Sequence, residues 1–580
     1  MPDWKTLIIL CGTTALASLP PVHAADDAFV TPKTTARFLA QATFGPRPDE
    51  ISRLAQTSAS AWFLDQLQEP PNYLMPFLLE YRQNTPEAEE EVVLLENEAA
   101  TFGFWRNAIV GRDQLRQRMA FALSELLVVS NSGGGLLTDI PDAVVYYQDL
   151  LIEHAFGNYR DLLEAVTYAP AMGHYLTYMG NEKGDLETGR VPDENYAREI
   201  MQLFTIGLLE LNADGTPRTD TEGQPLETYN NEDVTGLARV FTGLNIDKRY
   251  FDGDDVEDAD GIAFAVPMVI YPDSHSDRPK QFLGTSIAAN TPGKQSIDAA
   301  LDHLFAHPNV APFVGRQLIQ RFVTSHPTSG YTKRVASTFE RGRYTLPDGT
   351  RVGTGRRGDL TATLAAILFD RQARNPNGRV TGKVREPILR MTHWARAFRA
   401  KQVTPEYSWA LWDTSEATAL GQHPYRAPSV FNFFRPGYVA PGTLTGSRNL
   451  TAPELQIVNA SSVPGYANFM TPFIFNEARE TDVEELQEEY DEEGLPLNAE
   501  LALTSFEPNY SREIQLANNS NALLNRLDII LTHGQLSGVT RAQIKRVLAE
   551  IPPEDNELRE LRVMFAVMMI MTSPDYLVIR

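Results

Sequence analysis

The segment 192–211 combines a helical pattern with the polar side chains best suited to chemistry. Pro192 suits the first position of a helix, and Asp193 and Glu194 put negative charge where the helix dipole favours it. At 100° per residue six apolar side chains form one stripe: Ala197, Ile200, Met201, Phe204, Leu208 and Leu211. Four polar side chains fall on the opposite face, with Glu194 at its margin: Asn195, Arg198, Glu199 and Gln202. From periodicity alone, an ordinary solvated face with i,i+4 pairs is favoured over a reactive one.

A second group of reactive side chains lies in the loop segment HSDRPK at 275–280. An imidazole, a carboxylate and an amine within six residues could bind a metal, relay a proton or hold an anion. His275 could equally form a hydrogen bond with a nearby backbone group. The histidines are otherwise scattered without metal-ligand spacing, so we predict no metal site here and favour the structural role.

Familiar signatures of catalysis and of cofactor binding are missing from the sequence. It holds no G-x-S-x-G elbow, P-loop, dinucleotide fingerprint or H-E-x-x-H motif. The acidic stretch 252–261 is rich in oxygen ligands but does not match the spacing of a calcium loop, so we predict a solvated surface loop. Pairs of carboxylates carry little weight, because 75 acidic residues make chance pairs plentiful. We predict no cofactor.

The first 24 residues, MPDWKTLIILCGTTALASLPPVHA, have the organisation of a secretory signal. Lys5 precedes the apolar run 7–11, and VHA at 22–24 has the small-x-small character of a cleavage site. The apolar core of about ten residues is too short to cross a bilayer of about 30 Å. An amphipathic anchor is the rival interpretation, but the segment offers no basic face. We therefore predict cleavage near Ala24 and a location in a bacterial periplasm or outside the cell.

Charge and cysteine content narrow the class of the mature protein. Cleavage removes Asp3 and Lys5 together, so the net charge stays at −24. This charge argues against nucleic acid as a partner, because nucleic-acid binding relies on Lys and Arg to neutralise phosphates. Cleavage also removes Cys11, the only cysteine, which excludes disulfides and a thiol nucleophile. No later stretch approaches 18 uninterrupted apolar residues, so we predict no membrane span in the mature chain.

Hydrophobic periodicity predicts helix over most of the chain. Apart from 192–211, the predicted helical segments are 34–69, 83–131, 142–155, 158–168, 231–241, 297–306, 309–323, 331–341, 359–370, 382–399, 521–533, 540–550 and 555–572. The turn signal at 347–349 between 343–345 and 350–352 predicts a small hairpin. Segment 421–448, rich in Pro, Gly and aromatic residues, predicts an ordered non-helical stretch. The expected fold is mainly α: a large multi-helix globular domain with small β-hairpins and long ordered loops.

The predicted domain organisation is simple. Residues 1–24 form the signal peptide, 25–33 a flexible N-terminus of the mature chain, and 34–580 one helical domain. Three segments are candidate insertions into that domain: 246–270, 342–357 and 477–500. No repeat of 20–50 residues is present, which argues against a solenoid.

Several sequence blocks together resemble one known family. They are ARFL at 36–39, ATFGP at 42–46, LRQRM at 115–119, ENYAREIMQLFTIG at 194–207, EDV at 232–234, ARVFTG at 238–243, HSDRPK at 275–280, FLG at 282–284, GQHPYRAPSVFNFFRP at 421–436 and TSPDY at 572–576. The chain is thereby identified as similar to the bacterial domain-of-unknown-function family numbered 1800, over roughly 34–580. This resemblance implies an exported bacterial protein with a large helical domain. It also implies a co-encoded secreted partner from the family numbered 1501, which resembles phosphatases and sulfatases.

Carried over to this chain, the resemblance implies a shared polar site. Its members are three candidate catalytic residues, Glu194, Glu199 and His275, and five candidate binding residues, Asn195, Arg198, Lys280, Asp233 and Arg239. A glutamate could act as a base, Arg and Lys could hold an anionic group, and Asn could orient a ligand. A buried network that fixes the architecture would use the same residue types, and the two interpretations stand equal.

The sequence also departs from the family pattern at two positions. Many members carry a Trp-His-Asn-His-like stretch after the block at 115–119, where this chain has Phe121 to Glu125. Ser276 stands where an acid commonly follows the histidine, although Asp277 is available as a substitute. Both departures argue against a histidine-rich metal site.

Two hypotheses of function follow. The first is an exported enzyme that acts on an envelope or extracellular polymer such as a polysaccharide. It draws on the polar set and on aromatic side chains that could stack on sugars: Trp105, Trp409, Trp412 and Phe431 to Phe434. It expects the polar residues to converge in an open cleft.

The alternative is a non-catalytic assembly or partner protein for the co-encoded phosphatase- or sulfatase-like protein. It draws on the missing catalytic signatures. It expects an exposed apolar patch of several hundred Å².

Overall fold

The computed structural model describes residues 27, 29, 31–84, 89–250, 261–374, 382–402, 409, 411, 413–476 and 506–580. The predicted signal at 1–24, the acidic stretch 252–260, Trp412 and the candidate insertion 477–500 lie outside the described residues. Of the candidate insertion 246–270, only the two ends are described.

The described part of the chain is mainly helical, which confirms the predicted fold class. Its first helices are α1 (Pro32–Ala42), α2 (Pro48–Leu54), α3 (Ala59–Gln68), α4 (Met75–Asn84), α5 (Glu89–Val110), α6 (Gln114–Ser124), α7 (Leu136–Asp139), α8 (Pro141–His154), α9 (Tyr159–Thr167), α10 (Pro170–Tyr175), α11 (Asn195–Glu199), α12 (Asn231–Ala238) and α13 (Gly261–Phe264). The later helices are α14 (Gly293–Ala306), α15 (Val310–Phe322), α16 (Ser329–Arg341), α17 (Leu360–Leu368), α18 (Arg371–Arg374), α19 (Pro387–Ala397), α20 (Leu444–Ser447), α21 (Ser462–Phe475), α22 (Ser511–Ile514), α23 (Ser520–Thr532), α24 (Gly538–Ala549), α25 (Asn556–Met571) and α26 (Pro574–Leu577).

The strands are short and pair only two at a time. They are β1 (Leu244–Asn245), β2 (Val269–Ile270), β3 (Lys280–Phe282), β4 (Thr285–Ile287), β5 (Tyr344–Thr345), β6 (Arg351–Val352), β7 (Lys383–Val384), β8 (Lys401–Gln402), β9 (Phe506–Glu507) and β10 (Val578–Ile579). All five pairs are antiparallel: β1 with β2, β3 with β4, β5 with β6, β7 with β10, and β8 with β9. The β5–β6 pair, in register Tyr344↔Val352, is the predicted hairpin.

Helix ends follow local capping signals. The side chains of Thr31, Asn158 and Asp359 accept hydrogen bonds from backbone N–H groups in the first turns of α1, α9 and α17. Behind these caps, the apolar stripes pack into one large buried cluster that runs from Phe29 to Tyr576. The described helices include none long and apolar enough to cross a membrane.

The predicted helix over 192–211 is wrong at both ends. The α-helix begins at Asn195, continues from Ile200 as a π-helix, and stops at Thr205. Gly207 then adopts φ +72°, a left-handed conformation that ends the helix. Leu208, predicted to belong to the buried stripe, is 56% exposed. The segment that follows is extended and pairs Leu209 with Glu227 through an isolated bridge.

Segment 421–448 is largely non-helical as predicted, with α20 near its end. A small second cluster of buried side chains, Val128, Ala427, Phe433 and Phe434, anchors it to the rest of the protein.

Close packing of α12 against β3 generates a stability prediction. A Cβ atom added at Gly236 would lie 1.6 Å from the backbone oxygen of Gln281. Gly236→Ala should therefore lower the free energy of unfolding by about 1–3 kcal/mol, although alanine is the better helix former. Urea unfolding at neutral pH measures this. Gly330→Ala is the matched control, because its Cβ would meet only the Arg334 side chain at 3.4 Å. Equal stability of the two variants would contradict the close approach.

Candidate functional site

Two of the predicted binding residues lie in the wall of a polar pocket between α12 and the β3–β4 hairpin. This polar pocket has a volume of about 610 Å³. Asp233 accepts hydrogen bonds from the backbone N–H groups of Leu283, at 2.6 Å, and Asn230, at 2.9 Å. Arg239 donates to the backbone oxygen of Pro279 at 3.0 Å. Both side chains thus join helix to hairpin while lining the pocket.

Glu194 and Arg198 adjoin the same pocket. Arg198 Nη2 lies 3.2 Å from Glu194 Oε2, and the hydroxyl of Thr235 donates to Glu194 Oε1 at 2.7 Å. Thr235 itself lines the polar pocket. The Asn195 amide reaches the Thr177 hydroxyl at 3.4 Å. The structure therefore brings Glu194, Arg198, Asp233 and Arg239 close to one opening.

Glu199 does not share that exposed position. Its side chain is 7% exposed, and Oε2 accepts no hydrogen bond from the described residues. Burial raises the pKa of Glu199, and Arg198 only partly opposes this. The Glu199 charge also contributes to the raised pKa of Tyr175, after burial.

His275 and Lys280 are buried beneath the hairpin. His275 Nδ1 lies 2.8 Å from the Thr242 carbonyl oxygen, so Nδ1 carries the proton and Nε2 is an acceptor without a partner among the described residues. Burial lowers the pKa of His275. Lys280 is fully buried and donates to the Ser276 carbonyl at 2.9 Å. Burial lowers the pKa of its amine as well. The eight predicted residues thus do not all face one open cleft.

A larger opening lies where two of the sequence blocks meet, those at 194–207 and 421–436. This apolar groove has a volume of about 640 Å³. Its walls come from the end of α6 with Leu126, from α15 with Phe313, from 202–211 and from 430–439. The π-helix Ile200–Thr205 supplies Gln202 and Leu203 to one wall, a type of helix frequent at functional sites.

A glutamic acid and an arginine lie at the inner end of the apolar groove. Glu125 is 4% exposed, and Arg321 is 5% exposed and stacks on the Phe434 ring at 4.7 Å. Arg321 Nε lies 3.5 Å from Glu125 Oε2. The amides of Gln422 and Asn432 each donate to Glu125 Oε1 at 3.4 Å. The carboxyl group is therefore held from three sides.

A buried ionic network continues behind Glu125. Its six charged members are nearly or fully buried: Arg118, Arg321, Lys383, Glu125, Glu386 and Glu454. Lys383 Nζ donates to Glu386 Oε1 at 2.7 Å and to Glu454 Oε1 at 3.0 Å. The Gln422 amide also reaches Glu386 at 3.4 Å, so it joins the groove to the network.

The two glutamic acids at the centre have opposite pKa shifts. Burial raises the pKa of Glu125 to about 8, with Arg321 opposing the shift and the Glu386 carboxylate adding to it. Burial alone would also raise the pKa of Glu386, but Lys383, Arg321 and Arg118 outweigh it and lower the value to about 2. The two carboxyl groups act on each other, and the nearby cations favour the charged form at Glu386. At neutral pH Glu125 is therefore the protonated member of the two.

Comparison with known proteins shows which family the chain belongs to. The family described as Protein of unknown function (DUF1800) matches residues 37–578. The chain belongs to this family. No curated protein and no solved structure matches it. The predicted resemblance to the family numbered 1800 is thus confirmed.

Sequence reasoning on this DUF1800 protein named Gln202, Phe431 and Phe434 of the groove but missed the charged residues at its inner end and in the network. Glu125 entered only as a departure from the family pattern, and Arg321 and Glu386 were not considered. A usable signal was the placement of Arg118 and Arg321 inside strongly apolar helical segments. Charged residues on a buried face must be paired, so they point to one another.

The other predicted elements have clear positions. Trp105 is fully buried and Trp409 is 8% exposed, so both belong to the core, whereas Phe431 and Phe434 line the apolar groove. The described residues contain no group of three His, Cys, Asp or Glu side chains arranged to hold a metal ion.

The raised pKa of Glu125 gives this DUF1800 protein a testable pH dependence. Its folded value of about 8 lies above the ordinary value of 4.5, so the folded state binds more protons between these values. Stability should fall as pH rises through this interval, by up to about 1.4 kcal/mol per unit. The side chain of Glu125→Gln cannot titrate, so the variant should lose this decline. Urea unfolding between about pH 5 and pH 9 measures it.

The exposed Glu550 offers the control. Glu550→Gln should keep the decline of the parent. Parallel curves for the parent and Glu125→Gln would show that Glu125 is ionised in the folded protein at neutral pH.

Proposed function

We propose that this protein is an exported enzyme that acts on an envelope or extracellular polymer, a polysaccharide in the simplest case. The observation that supports this is the position of the Glu125 carboxyl group. It lies at the inner end of an open groove whose walls include two of the sequence blocks, those at 194–207 and 421–436. In this proposal, Glu125 donates a proton to the leaving oxygen of a bond held in the groove.

The surroundings of Glu125 suit a general acid. A pKa near the working pH gives an acid that is protonated before the reaction and still able to release its proton. Arg321 lies close enough to Glu125 to stabilise the carboxylate that forms when the proton is released. The rings of Phe313, Phe431 and Phe434 offer flat apolar surfaces for a carbohydrate ring.

The Glu125–Glu386 pair cannot by itself flank a glycosidic bond. Glycosidases place a carboxyl group on each side of the bond that they cleave, whereas Glu386 is fully buried and does not line the groove. Glu199 keeps its predicted catalytic role in this proposal, although it is not itself among the residues that line the groove. Gln202, on the same helical segment, lines the groove, and Tyr175, whose pKa Glu199 helps to raise, packs against the cluster that holds Phe434.

Other predicted residues take supporting roles in this proposal. Glu194 and His275 hold the walls of the polar pocket and its hairpin, rather than reacting. Asn195, Arg198, Asp233, Arg239 and Lys280 remain the predicted binding set, with Asp233 and Arg239 lining the pocket.

Export is the second part of the proposal, and it generates its own test. The VHA sequence at 22–24 places cleavage after Ala24. Ala24→Arg puts a large charged residue at the cleavage site, so the precursor should accumulate uncleaved in the membrane fraction of a bacterial host. Mass spectrometry of the periplasmic fraction should find the parent beginning at Ala25. Asp26→Asn, which lies just after the cleavage site, is the control and should be processed normally. A parent that keeps Met1 would contradict export by this signal.

Loss of the catalytic acid tests the enzymatic proposal directly. Mature protein should release reducing ends from at least one member of a panel of neutral and acidic polysaccharides. Glu125→Gln should lower kcat by at least about 100-fold, since general acid catalysis contributes about 10²–10⁴. Glu199→Gln should lower kcat to a similar extent. Glu550→Gln, at the exposed end of α24, should match the parent.

The same assay separates the alternative of a partner protein. Adding the co-encoded protein of the family numbered 1501 would then be required for any activity. Activity that appears only when that protein is added, and that persists unchanged in Glu125→Gln, would contradict the enzymatic proposal and favour the partner role.

A further inference from the structure

A third opening, which shares no lining residue with the apolar groove, is strongly basic. It lies between α16, the β5–β6 hairpin and the ends of α17 and α18, and has a volume of about 650 Å³. Five of its thirteen lining residues are basic and one is acidic: Lys333, Arg334, Arg341, Arg371, Arg374 and Asp370. We call it the cationic pocket. Such a lining is unexpected in a chain with net charge −24.

Most of this positive charge is not neutralised within the pocket. Arg334 forms two hydrogen bonds with the Asp370 carboxylate, at 2.7 and 2.9 Å, which neutralises one cation. Arg341 donates to hydroxyl groups of Ser337 and Thr338 rather than to a carboxylate. Lys333 and Arg371 are exposed and form no ion pair with the residues that the structure describes. Three of the five basic side chains, Lys333, Arg341 and Arg371, therefore have no carboxylate partner among the residues that the structure describes.

The elements around the pocket hold it in place. Asp370 accepts from the Gln372 backbone N–H at 2.8 Å in addition to Arg334, which fixes the turn into α18. The guanidinium of Arg374 stacks on Phe38 at 4.9 Å. Helices α16 and α17 pack closely against each other. The basic side chains thus project from a framework that exists before a ligand arrives.

We propose that the cationic pocket binds an anionic glycan that carries carboxylate, sulfate or phosphate groups. This inference rests on the proposed function and specifies its polymer as acidic. A single inorganic anion would fill only a small part of about 650 Å³. Tyr344, Phe369 and Pro347 add apolar surface beside the cations, and Ser337 and Thr345 add hydroxyl groups. Cations with apolar surface and hydroxyl groups match the chemistry of an acidic sugar.

The overall charge explains why such a pocket is needed. A protein of net charge −24 repels a polyanion at long range, and the repulsion weakens only with salt. A local concentration of cations reverses the sign of the interaction where the polymer is held. The same overall charge disfavours nucleic acid and anionic membranes, which present their charge over a much wider surface than this concave site.

Binding of defined oligosaccharides tests the inference with the mature parent protein. The probes are an oligogalacturonate, a sulfated oligosaccharide of similar length, a neutral oligosaccharide, inorganic sulfate and vesicles of anionic phospholipid. Titration calorimetry at low and moderate salt should show binding of at least one anionic glycan, weakened by salt, and no binding of the neutral one. The Lys333→Glu/Arg371→Glu double variant should bind that glycan at least about tenfold more weakly, a change of about 1.4 kcal/mol.

Two variants serve as controls. Lys333→Gln/Arg371→Gln removes the charges without reversing them and should lose less affinity. Arg448→Glu reverses an exposed charge outside the pocket and should bind like the parent. All substituted side chains are exposed, so urea unfolding should be unchanged in each.

Several results would overturn the inference. These are equal affinity for the neutral and anionic glycans, equal affinity for inorganic sulfate, tighter binding to the vesicles, or unchanged binding in the double reversal variant. The result is also separable from the catalytic proposal. Glu125→Gln should retain full affinity for the glycan at the cationic pocket. Glycan binding without turnover by the parent or any variant would support the pocket and contradict the enzymatic proposal. Turnover restricted to neutral polymers would support the enzymatic proposal and contradict the pocket.

Discussion

The buried ionic network around Glu386 is the constraint on which the rest of the structure depends. Removing charged groups from water is costly, and the cost is recovered only if every charge finds close partners. Arg118 on α6, Arg321 on α15, Lys383 before α19 and Glu454 in the 3₁₀ segment 453–457 meet here. Lys383 pairs with Glu386 and Glu454, Arg321 pairs with Glu125, and Arg118 donates to the backbone oxygen of Arg321, so these contacts join elements that are distant in sequence. They also fix the inner end of the apolar groove, because Glu125 and Arg321 belong to both.

Local features of the sequence were sufficient to predict most helices. Side chains such as Thr31 and Asp359 mark helix starts through bonds within four residues, and periodicity marks the faces that enter the core. The hairpin at 344–352 is similarly local. The helix at 192–211 failed because its periodicity continued beyond Gly207, where a left-handed glycine and the approach of Phe313 end the helix. The hydrophobic pattern alone cannot predict that packing constraint.

The candidate site was far less predictable, because its contacts are long in sequence. Gln422 and Asn432 lie 297 and 307 residues from the Glu125 that they contact. From the sequence alone, a single glutamate at a helix end is predicted to be exposed to solvent, because its distant partners are unknown. By contrast, the Glu194–Arg198 pair could be predicted from i,i+4 spacing and is present. The polar residues easiest to recognise in sequence are thus the more exposed ones, whereas the strongest pKa perturbation depends on tertiary packing.

The charge balance of the network links its stability to the proposed chemistry. With Glu125 protonated, the six groups hold three positive charges and two negative ones, so one positive charge is in excess beside the groove. Burial maintains this imbalance by disfavouring a third carboxylate. Release of the Glu125 proton restores equal numbers of each sign, with Arg321 directly beside the new carboxylate. In the proposed reaction, the cations of the network oppose the burial that raises the Glu125 pKa, and so reduce the cost of forming the carboxylate. The residues that hold the fold together would thus also stabilise the conjugate base of the proposed general acid.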